Sequence, residues 1–413
     1  MSTLGEGSSL LSLLADDPDQ FRTSFPAEPL LSRRHPEPLR MLMNFSSVNR
    51  LLTQSVLGTE VVELTKNGRR IPKSKFTGEY GFVSTTLIAA ELEAGATLLL
   101  NQVHRAWHSV ATACRQLEHE VGAAVTANAF VSPAKAQGFG HHYDSVSIFV
   151  IQTEGSKVWR LFQPTWPFPL TYQTSGDPYL TVDDVQRMRN RAPDYEYILH
   201  PGDVLWIPRG WVHYVTSTDE PSMHLAVGIT ETSRHALVRS IICDALGEDE
   251  SFRRDLPVGF ARSKTASEDV TRELLEALAG WIRQADPERL AAKVRSTTWS
   301  SLRGPTPEPV SSAVTGIDAS LPSDIYLLPE TVCGVSSEDG YLVIHLGDRT
   351  LTFTGTARTV VEKLLEAPGI PTAIADLESA STAEAADAVT RRLLAEGVAV
   401  PSGRPGASSQ QLK

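Results

Sequence analysis

The sequence predicts an α+β fold with a mainly β core, a small sandwich or barrel of short strands with helical segments before and after it. Between residues 124 and 229, short apolar segments follow one another without a long helix, which is typical of sandwiches and barrels. Outside that stretch, apolar residues recur at helical spacing, for example Ala106, Val110, Cys114 and Leu117. The 413 residues exceed the roughly 250–300 that one hydrophobic core serves, so two or three domains are expected.

The central stretch is expected to contain a series of strands. They are 124–131, 146–153, 158–162, 197–200, 204–207, 212–217 and 224–229. Turn residues separate them, among them Glu154-Gly155-Ser156, Pro201-Gly202-Asp203 and Pro208-Arg209-Gly210. A small barrel of this kind holds its functional site in its mouth.

The rest of the chain divides into flanking regions. Residues 1–37 are expected to form an N-terminal arm, because Pro26, Pro29 and Pro36 interrupt any long helix. The further regions are a catalytic domain (38–232) with helices at 86–93 and 105–121, a helical region (233–303), a Pro/Ser-rich linker (304–320), a small module (321–402) and a loose tail (403–413).

The small module at 321–402 reads as a winged-helix-like unit. Two strands, 341–346 and 350–353, flank a Gly-Asp turn, and a helix is expected at 359–366. Ser381 with Glu384 fits a capping box that begins another helix. Residues 358–396 contain seven acidic and four basic residues, which argues against a DNA-reading role.

Charge and cysteine content narrow the class of protein. The net charge of −11 argues against direct nucleic-acid binding and suits a basic partner, although it can also serve solubility alone. Cys114, Cys243 and Cys333 form no CxxC pair, which argues against a structural zinc site and against a disulfide framework. No run of about eighteen apolar residues and no signal peptide is recognised, so a cytoplasmic enzyme without a membrane partner is expected.

The pattern with most chemical content is His142-Tyr143-Asp144 followed by His213. Side chains two apart on a strand point to the same face, and His213 follows a turn at the start of a later strand. Two imidazoles and one carboxylate on one side of a metal leave the other side open, which is the arrangement of non-haem Fe(II) oxygenases. The predicted metal ligands are therefore His142, Asp144 and His213. Some barrels of this kind bind Zn, Mn or nothing, so the residues alone leave the metal open.

Other histidines compete for these roles. His141 is a poorer ligand than His142, because its neighbour at i+2 is Tyr143. His224 lies within an apolar strand, where a core or supporting histidine is the better interpretation. His104 and His108 share a helix face by spacing and read as surface residues, because they have no third ligand nearby.

Lys157 follows the turn after the strand that begins near the motif. A cation there can anchor a dicarboxylate whose other end chelates the metal, and an exposed lysine at the start of a strand is the equally weighted alternative. Arg160, three residues further, lies on the opposite face of that strand.

These residues resemble a known family. The segments Asn128-Ala129-Phe130-Val131-Ser132-Pro133, His142-Tyr143-Asp144, Gln152 to Arg160, Pro201-Gly202-Asp203, Ile207 to Gly210 with His213, and Phe252 to Phe260 resemble the cupin-like JmjC oxygenases of the ribosomal oxygenase group, in its bacterial members. The likeness extends from about Pro38 to Pro401.

The resemblance implies a double-stranded β-helix, the cupin/JmjC jelly roll, followed by a helical dimerisation region and a winged-helix-like domain. It implies dependence on Fe(II), 2-oxoglutarate and O2, with Lys157 as the anchor of the 2-oxoglutarate carboxylate and Asn128 lining the co-substrate pocket. It further implies a homodimer that hydroxylates an unactivated C–H of a protein or peptide side chain, commonly of a ribosomal protein.

Three positions depart from the family pattern. Phe130 stands where a tyrosine is frequent, Ala136 where a serine is common, and Ser145 where an acidic residue is common. These changes leave the metal ligands intact and bear on the substrate. The alternatives are the same chemistry on a peptide or natural-product intermediate, and a catalytically silent barrel that acts as a binding or scaffold protein.

Overall fold

The structure is a computed structural model that describes residues 9–302, 321–328, 331–338, 340–347 and 349–402. The predicted linker 304–320 and tail 403–413 lie outside these residues. The predicted α+β fold with a mainly β core is confirmed, because two packed antiparallel sheets carry the central stretch.

The larger sheet has eight strands in the order β1-β9-β6-β11-β5-β4-β2-β3. Their bounds are β1 (Leu30–Arg33), β2 (Val62–Lys66), β3 (Arg69–Arg70), β4 (Thr97–Leu100), β5 (Ala124–Ser132), β6 (Ser147–Glu154), β9 (Asp203–Ile207) and β11 (Ser222–Thr230). The smaller sheet has the order β10-β7-β8. It is formed by β7 (Lys157–Phe162), β8 (Tyr195–Leu199) and β10 (Val212–Ser217). Each strand predicted between residues 124 and 229 lies within one of these elements or overlaps it.

Strand alternation divides the larger sheet into two faces. Phe149 and Ile151 of β6 pack into the main core against helices, whereas Ile148 and Val150 pack against the smaller sheet, where they meet Trp159. The same alternation places even-numbered residues of β5 and β11 between the two sheets. Side chains of both sheets therefore face each other in the space between the two sheets.

Helices cover the outer face of the larger sheet. They are α1 (Leu10–Leu14), α2 (Pro18–Thr23), α3 (Pro36–Arg40), α4 (Phe45–Gln54), α5 (Thr85–Glu93) and α6 (His108–Val121), while α7 (Val182–Arg189) follows the smaller sheet's first strand. In α6, Val110, Cys114 and Leu117 are buried as their spacing predicts. The glycine Gly122 ends this helix in a left-handed conformation.

Residues 9–37, treated above as an arm, are built into this core. Leu10, Leu11 and Leu14 of α1 are buried in it, and β1 pairs with β9 at the edge of the larger sheet. The prolines do not prevent this, because Pro18 and Pro36 stand at the first position of their helices, where no backbone hydrogen bond is lost.

The predicted helices after residue 233 are present as α8 (Arg234–Glu248), α9 (Lys264–Gln284) and α10 (Pro287–Ser301). Helix α9 is 21 residues long and buries none of them. Its apolar side includes Leu275, which is 62% exposed, and Ile282, which is 48% exposed.

Residues after 320 have a hydrophobic core of their own. Its strands are β12 (Asp324–Leu327), β13 (Gly334–Glu338), β14 (Tyr341–His345), β15 (Thr350–Phe353), β16 (Thr372–Ala373) and β17 (Ala399–Pro401), and its helices are α11 (Gly355–Leu365), α12 (Ile374–Ala380) and α13 (Ala383–Ala395). The capping box at Ser381 is wrong: Thr382 caps α13 by accepting from the Ala385 amide. None of the helices in the described ranges combines the length and apolar character that a membrane crossing requires.

Candidate metal centre and co-substrate pocket

His142 and His213 are brought together by their own backbones. The His142 amide donates to the His213 carbonyl at 3.0 Å, and the His213 amide donates to the His142 carbonyl at 2.7 Å. This isolated antiparallel bridge joins the segment before β6 to β10. The two imidazole centroids are consequently 4.3 Å apart.

Asp144 completes a set of three donors. Its Oδ2 lies 3.9 Å from His213 Nε2, and one ligand atom from each of His142, Asp144 and His213 lies within 4.8 Å of the others. Within the described ranges this is the one group of three such residues close enough to hold a metal ion. Tyr143, between His142 and Asp144, points the other way and is buried in a separate apolar cluster, as strand alternation predicts. The motif itself is held by a single β-bridge and not by a full strand.

The hydrogen bonds of both imidazoles suit metal binding. His142 Nδ1 lies 2.9 Å from the Gly140 carbonyl, and His213 Nδ1 lies 3.1 Å from the Trp211 carbonyl. A carbonyl can only accept, so each Nδ1 carries the proton and each Nε2 keeps a lone pair. Burial, with the neighbouring His142, lowers the pKa of His213 to about 4, which keeps it neutral at pH 7. The donor set therefore fits a divalent metal.

A loop that sequence reasoning missed holds the motif in place. The Tyr143 amide donates to Ser175 Oγ, Ser175 Oγ donates back to the Tyr143 carbonyl, and Tyr143 Oη donates to the Gln173 carbonyl, each at 2.8 Å. The Gly210 amide also donates to the Asp144 carbonyl at 2.9 Å. These contacts come from residues 30 or more positions away, so local sequence gives no signal for them.

Lys157 lies inside the protein, not at its surface. Its residue is 2% exposed, and its Nζ donates to His224 Nδ1 at 3.0 Å. Burial lowers the pKa of Lys157 to about 7, and burial with the nearby Lys157 lowers the pKa of His224 well below its usual value. Lys157 makes no ion pair with any described residue, so this buried amine has no anionic partner there.

The turn before Lys157 depends on a glycine. Gly155 has a φ of +56°, and a Cβ there would collide with the Pro221 carbonyl oxygen. This close approach of the β6–β7 turn to the chain before β11 brings Lys157 beside His224. Sequence reasoning placed His224 as a core or supporting residue, and the structure makes it the partner of Lys157.

A cavity of about 130 Å³ joins these groups. Its lining includes the three metal-ligand candidates, Lys157, His224, Asn128, Phe130 and Trp159. Trp159 contributes a buried Nε1 without a hydrogen-bond partner among the described residues. The Lys157 amine has no anionic partner among the described residues, and the Trp159 N–H has no acceptor there. Together with the three candidate metal ligands in the same cavity, they fit an anionic ligand that also reaches the metal.

The remaining residues singled out in the sequence are placed as follows. Asn128 lies on the cavity wall, and its Oδ1 accepts from the Gln102 amide at 2.9 Å. Phe130 stacks on the His224 ring at 4.7 Å and 9°. Ala136 is buried, and its amide donates to Ser217 Oγ at 2.8 Å. Ser145 is half-buried beside Asp144.

Two expectations about other histidines have definite outcomes. His141 turns away from the metal donors, and its ring lies 4.3 Å from that of Tyr214. The surface interpretation of His104 is wrong, because its Nδ1 accepts from the Ala127 amide at 2.9 Å in a buried position. His104 lies in a short 3-10 turn that ends before α6, so it does not share a helix face with His108.

Comparison with known proteins gives the family of this domain. Residues 100–237 match the model described as the JmjC domain, and this range includes all three metal-ligand candidates, Asn128 and Lys157. This part of the chain is similar to JmjC domains. The resemblance inferred from the sequence is therefore confirmed at the level of this domain.

Relatives and solved structures agree with this assignment. The chain is 30% identical over 186 residues to mouse "Ribosomal oxygenase 2", covering 43% of this chain and 38% of that protein. It is 32% identical over 153 residues to "Bifunctional lysine-specific demethylase and histidyl-hydroxylase NO66" of Drosophila willistoni, covering 36% of this chain and 19% of that protein. The matched part is thus less than two fifths of either relative's length.

Similarity of fold extends further than similarity of sequence. The X-ray structure of E. coli ycfD is similar with a TM-score of 0.51 at 15% identity, over 94% of this chain and 98% of that one. A structure of the same ribosomal oxygenase, in complex with cobalt and 2-oxoglutarate, is similar with a TM-score of 0.50 at 14% identity, again over 94% and 98%. The cupin-like JmjC fold expected from the sequence is confirmed.

Proposed function

We propose that this chain is an Fe(II)- and 2-oxoglutarate-dependent oxygenase that hydroxylates a protein side chain. The observation that carries the proposal is the combination, in one cavity, of a 2-His-1-carboxylate donor set with a buried lysine that has no carboxylate partner among the described residues. When bound, Fe(II) with 2-oxoglutarate and O2 supplies the oxidising power for an unactivated C–H. The names of the relatives support the same reaction class.

Each residue has a defined part in this proposal. His142, Asp144 and His213 hold the iron, and the carbonyls of Gly140 and Trp211 fix the tautomers of the two imidazoles. Lys157 binds the distal carboxylate of 2-oxoglutarate through a charge-assisted hydrogen bond.

Two neighbours complete the co-substrate pocket. His224 holds Lys157 in place through the 3.0 Å contact. Asn128 has its oxygen engaged by Gln102, so its amide nitrogen is the group it can offer the cavity.

The substrate is proposed to be a side chain of a ribosomal protein. The relatives carry the names ribosomal oxygenase and histidyl-hydroxylase. The side chain of Asp144 is 40% exposed, so the metal site is reachable from outside by a long side chain on a large partner. A basic partner also suits the net charge of −11.

The test is product formation with a matched pair of variants. The wild-type chain with Fe(II), 2-oxoglutarate, O2 and an extract of ribosomal proteins is expected to form succinate and to raise the intact mass of one protein by one oxygen atom. His142→Ala should abolish both signals, whereas His141→Ala, the adjacent histidine that turns away from the donors, should retain them. Succinate without any mass change in ribosomal proteins would contradict the substrate assignment.

We further propose that the chain is a homodimer formed through α9. The proposal is supported by a 21-residue helix that buries no residue and exposes Leu275 and Ile282 two turns apart on one side. Apolar stripes of this length are normally covered. Light scattering after size exclusion tests this, and a monomeric mass for the wild type would contradict it.

We also propose that residues 321–402 form a winged-helix-like module. The support is a separate core to which β14, β15, α11 and α13 all contribute, with α11 in contact with both strands and with α13. The acidic balance over 358–396 argues that this module acts through protein contacts.

A further inference from the structure

A run of basic residues lies on an exposed hairpin next to the cavity. Residues 64–78 contain Lys66, Arg69, Arg70, Lys73 and Lys75 and no acidic residue. All five side chains are exposed. The basic hairpin, defined as residues 66–75, consists of the end of β2, the Asn67-Gly68 turn, β3 and a short 3-10 turn. It is a local positive surface on a chain whose net charge is −11.

Most of these charges have no acidic partner among the described residues. Arg70 pairs with Glu63 at 2.8 Å, and Lys66 donates to the Ala94 carbonyl. Arg69, Lys73 and Lys75 make no ion pair with the residues that the structure describes. Lys66 and Arg69 stand directly opposite each other in the hairpin register. Like charges in that position cost stability, so the fold itself does not account for this arrangement.

The basic hairpin is attached to the rim of the metal cavity. The Asn67 amide donates to the Gln137 carbonyl at 2.8 Å, and the Gly68 amide donates to the Gly138 carbonyl at 2.7 Å. Gly138 itself lines the cavity, together with Phe139. A macromolecule held by the hairpin is therefore held beside the segment that lines the cavity.

Exposed aromatic side chains follow the basic hairpin. Tyr80 is 86% exposed and Phe82 is 45% exposed. Tyr80 has a φ of +62°, an unfavourable conformation for an aromatic residue. Tyr80 lies in a turn that is closed by a hydrogen bond, in which the Gly78 amide donates to the Phe82 carbonyl at 2.7 Å. The turn is also anchored by the fully buried Phe76. An exposed ring held in a strained position is a mark of a binding surface.

We propose that the basic hairpin, with Tyr80, binds single-stranded RNA. Cations without partners match a run of phosphates, and an exposed aromatic ring gives a stacking platform for a base, which an acidic peptide does not use. The net charge of −11 argues against nucleic-acid binding over most of the chain, so the proposed contact is confined to this local positive surface. The role of this contact rests on the proposed function. By binding RNA, the hairpin would bring a protein that is itself bound to that RNA close to the metal site.

The test is binding of a fluorescein-labelled U12 oligonucleotide to the full chain, followed by anisotropy without iron or 2-oxoglutarate. The logarithm of affinity should fall with the logarithm of salt concentration with a slope of about −2, from about 0.7 for each of three phosphates neutralised on a single strand. R69E/K73E/K75E should lose at least about tenfold in affinity and most of that slope. Y80A should lose about fivefold or more with the slope unchanged.

The matched control is R262E/K363E/R392E, which makes the same change of charge at exposed positions after residue 260, far along the chain from the basic hairpin. It should bind U12 within about twofold of the wild type. Equal binding by the wild type and R69E/K73E/K75E would overturn the proposal. The proposal would also be overturned if a twelve-residue polyglutamate bound as tightly as U12 and its affinity were unchanged in Y80A. The surface would then be a binding site for an acidic protein. Since no turnover is measured, failure here is distinct from failure to form succinate.

Discussion

Replacing Lys157 by methionine should stabilise the fold and weaken 2-oxoglutarate binding together. Burial lowers the pKa of Lys157 from 10.5 to about 7. Each unit of such a shift corresponds to about 1.4 kcal/mol, so burying this amine costs up to about 5 kcal/mol when it is charged. Methionine fills similar space without charge. After about 1 kcal/mol for the lost hydrogen bond to His224 and some relaxation around a charged lysine, the expected net gain is about 2–4 kcal/mol.

The pH dependence has a definite sign. The folded state holds the Lys157 proton less tightly than the unfolded state, so the unfolded state binds more protons between about pH 7 and 10.5. The free energy of unfolding of the wild type therefore rises with pH across that window. Below about pH 7 the folded protein bears the full cost of burying the charged amine. K157M lacks this contribution, so its advantage over the wild type should be largest at low pH and shrink toward pH 10.

Urea unfolding of the iron-free protein at several pH values measures this difference. The matched control is Arg160→Met on the same strand, whose side chain is 25% exposed and pairs with Glu196 at 2.7 Å. It should change stability by no more than about 1 kcal/mol. In turnover assays K157M should raise the KM for 2-oxoglutarate roughly 10- to 150-fold, as for the loss of one charge-assisted hydrogen bond. A K157M protein no more stable than the wild type at pH 7, with the same KM, would refute the reasoning.

Further predictions concern the metal, the lysine's partner, a turn and the dimer. Asp144→Asn should weaken Co(II) binding at least about 100-fold in an absorbance titration, and unchanged binding would exclude this ligand. His224→Leu should raise the KM for 2-oxoglutarate about five- to tenfold with kcat nearly unchanged, because Lys157 loses its acceptor; an effect on kcat alone would contradict a positioning role. Gly155→Ala should lower the unfolding free energy by more than about 2 kcal/mol, seen in thermal melts, because its φ is +56° and its Cβ meets the Pro221 carbonyl. L275E/I282E should convert a dimer to a monomer in light scattering, and a persisting dimer would place the interface elsewhere.

The meeting of the three candidate metal ligands could be predicted from the sequence because their geometry is largely local. His142 and Asp144 are two residues apart, and only the arrival of His213 requires knowledge of the fold. That arrival is secured by two backbone hydrogen bonds, which need no particular side chain. The residue types and the turn before His213 were therefore enough to predict that these three side chains lie close together, while their metal stays a proposal.

The surroundings of Lys157 could not be predicted in the same way. Alternation gives the face of a strand but not the strand opposite it. His224 is 67 residues from Lys157, and it reaches the lysine only because β11 pairs with β6 while β7 follows β6 through the Gly155 turn. Burial of Lys157 is likewise a property of the packed sheets.

Local spacing was misleading where an element begins or ends. His104 and His108 have helical spacing, but the helix begins at His108, so His104 belongs to a preceding 3-10 turn. Ser381 and Thr382 are both capping residues by type, and only the backbone geometry selects Thr382. No long helix forms in residues 9–37, as the prolines predict, but the short helices α1, α2 and α3 do form, two of them with a proline at their first position.

The most direct test of the central claim is an anaerobic titration of the purified chain with Fe(II) and 2-oxoglutarate. If His142, Asp144 and His213 hold iron with 2-oxoglutarate chelated beside Lys157, a visible charge-transfer band should form. His142→Ala should abolish it, and His141→Ala should leave it intact. A wild-type chain that shows no band, or a band that survives His142→Ala, would contradict the account.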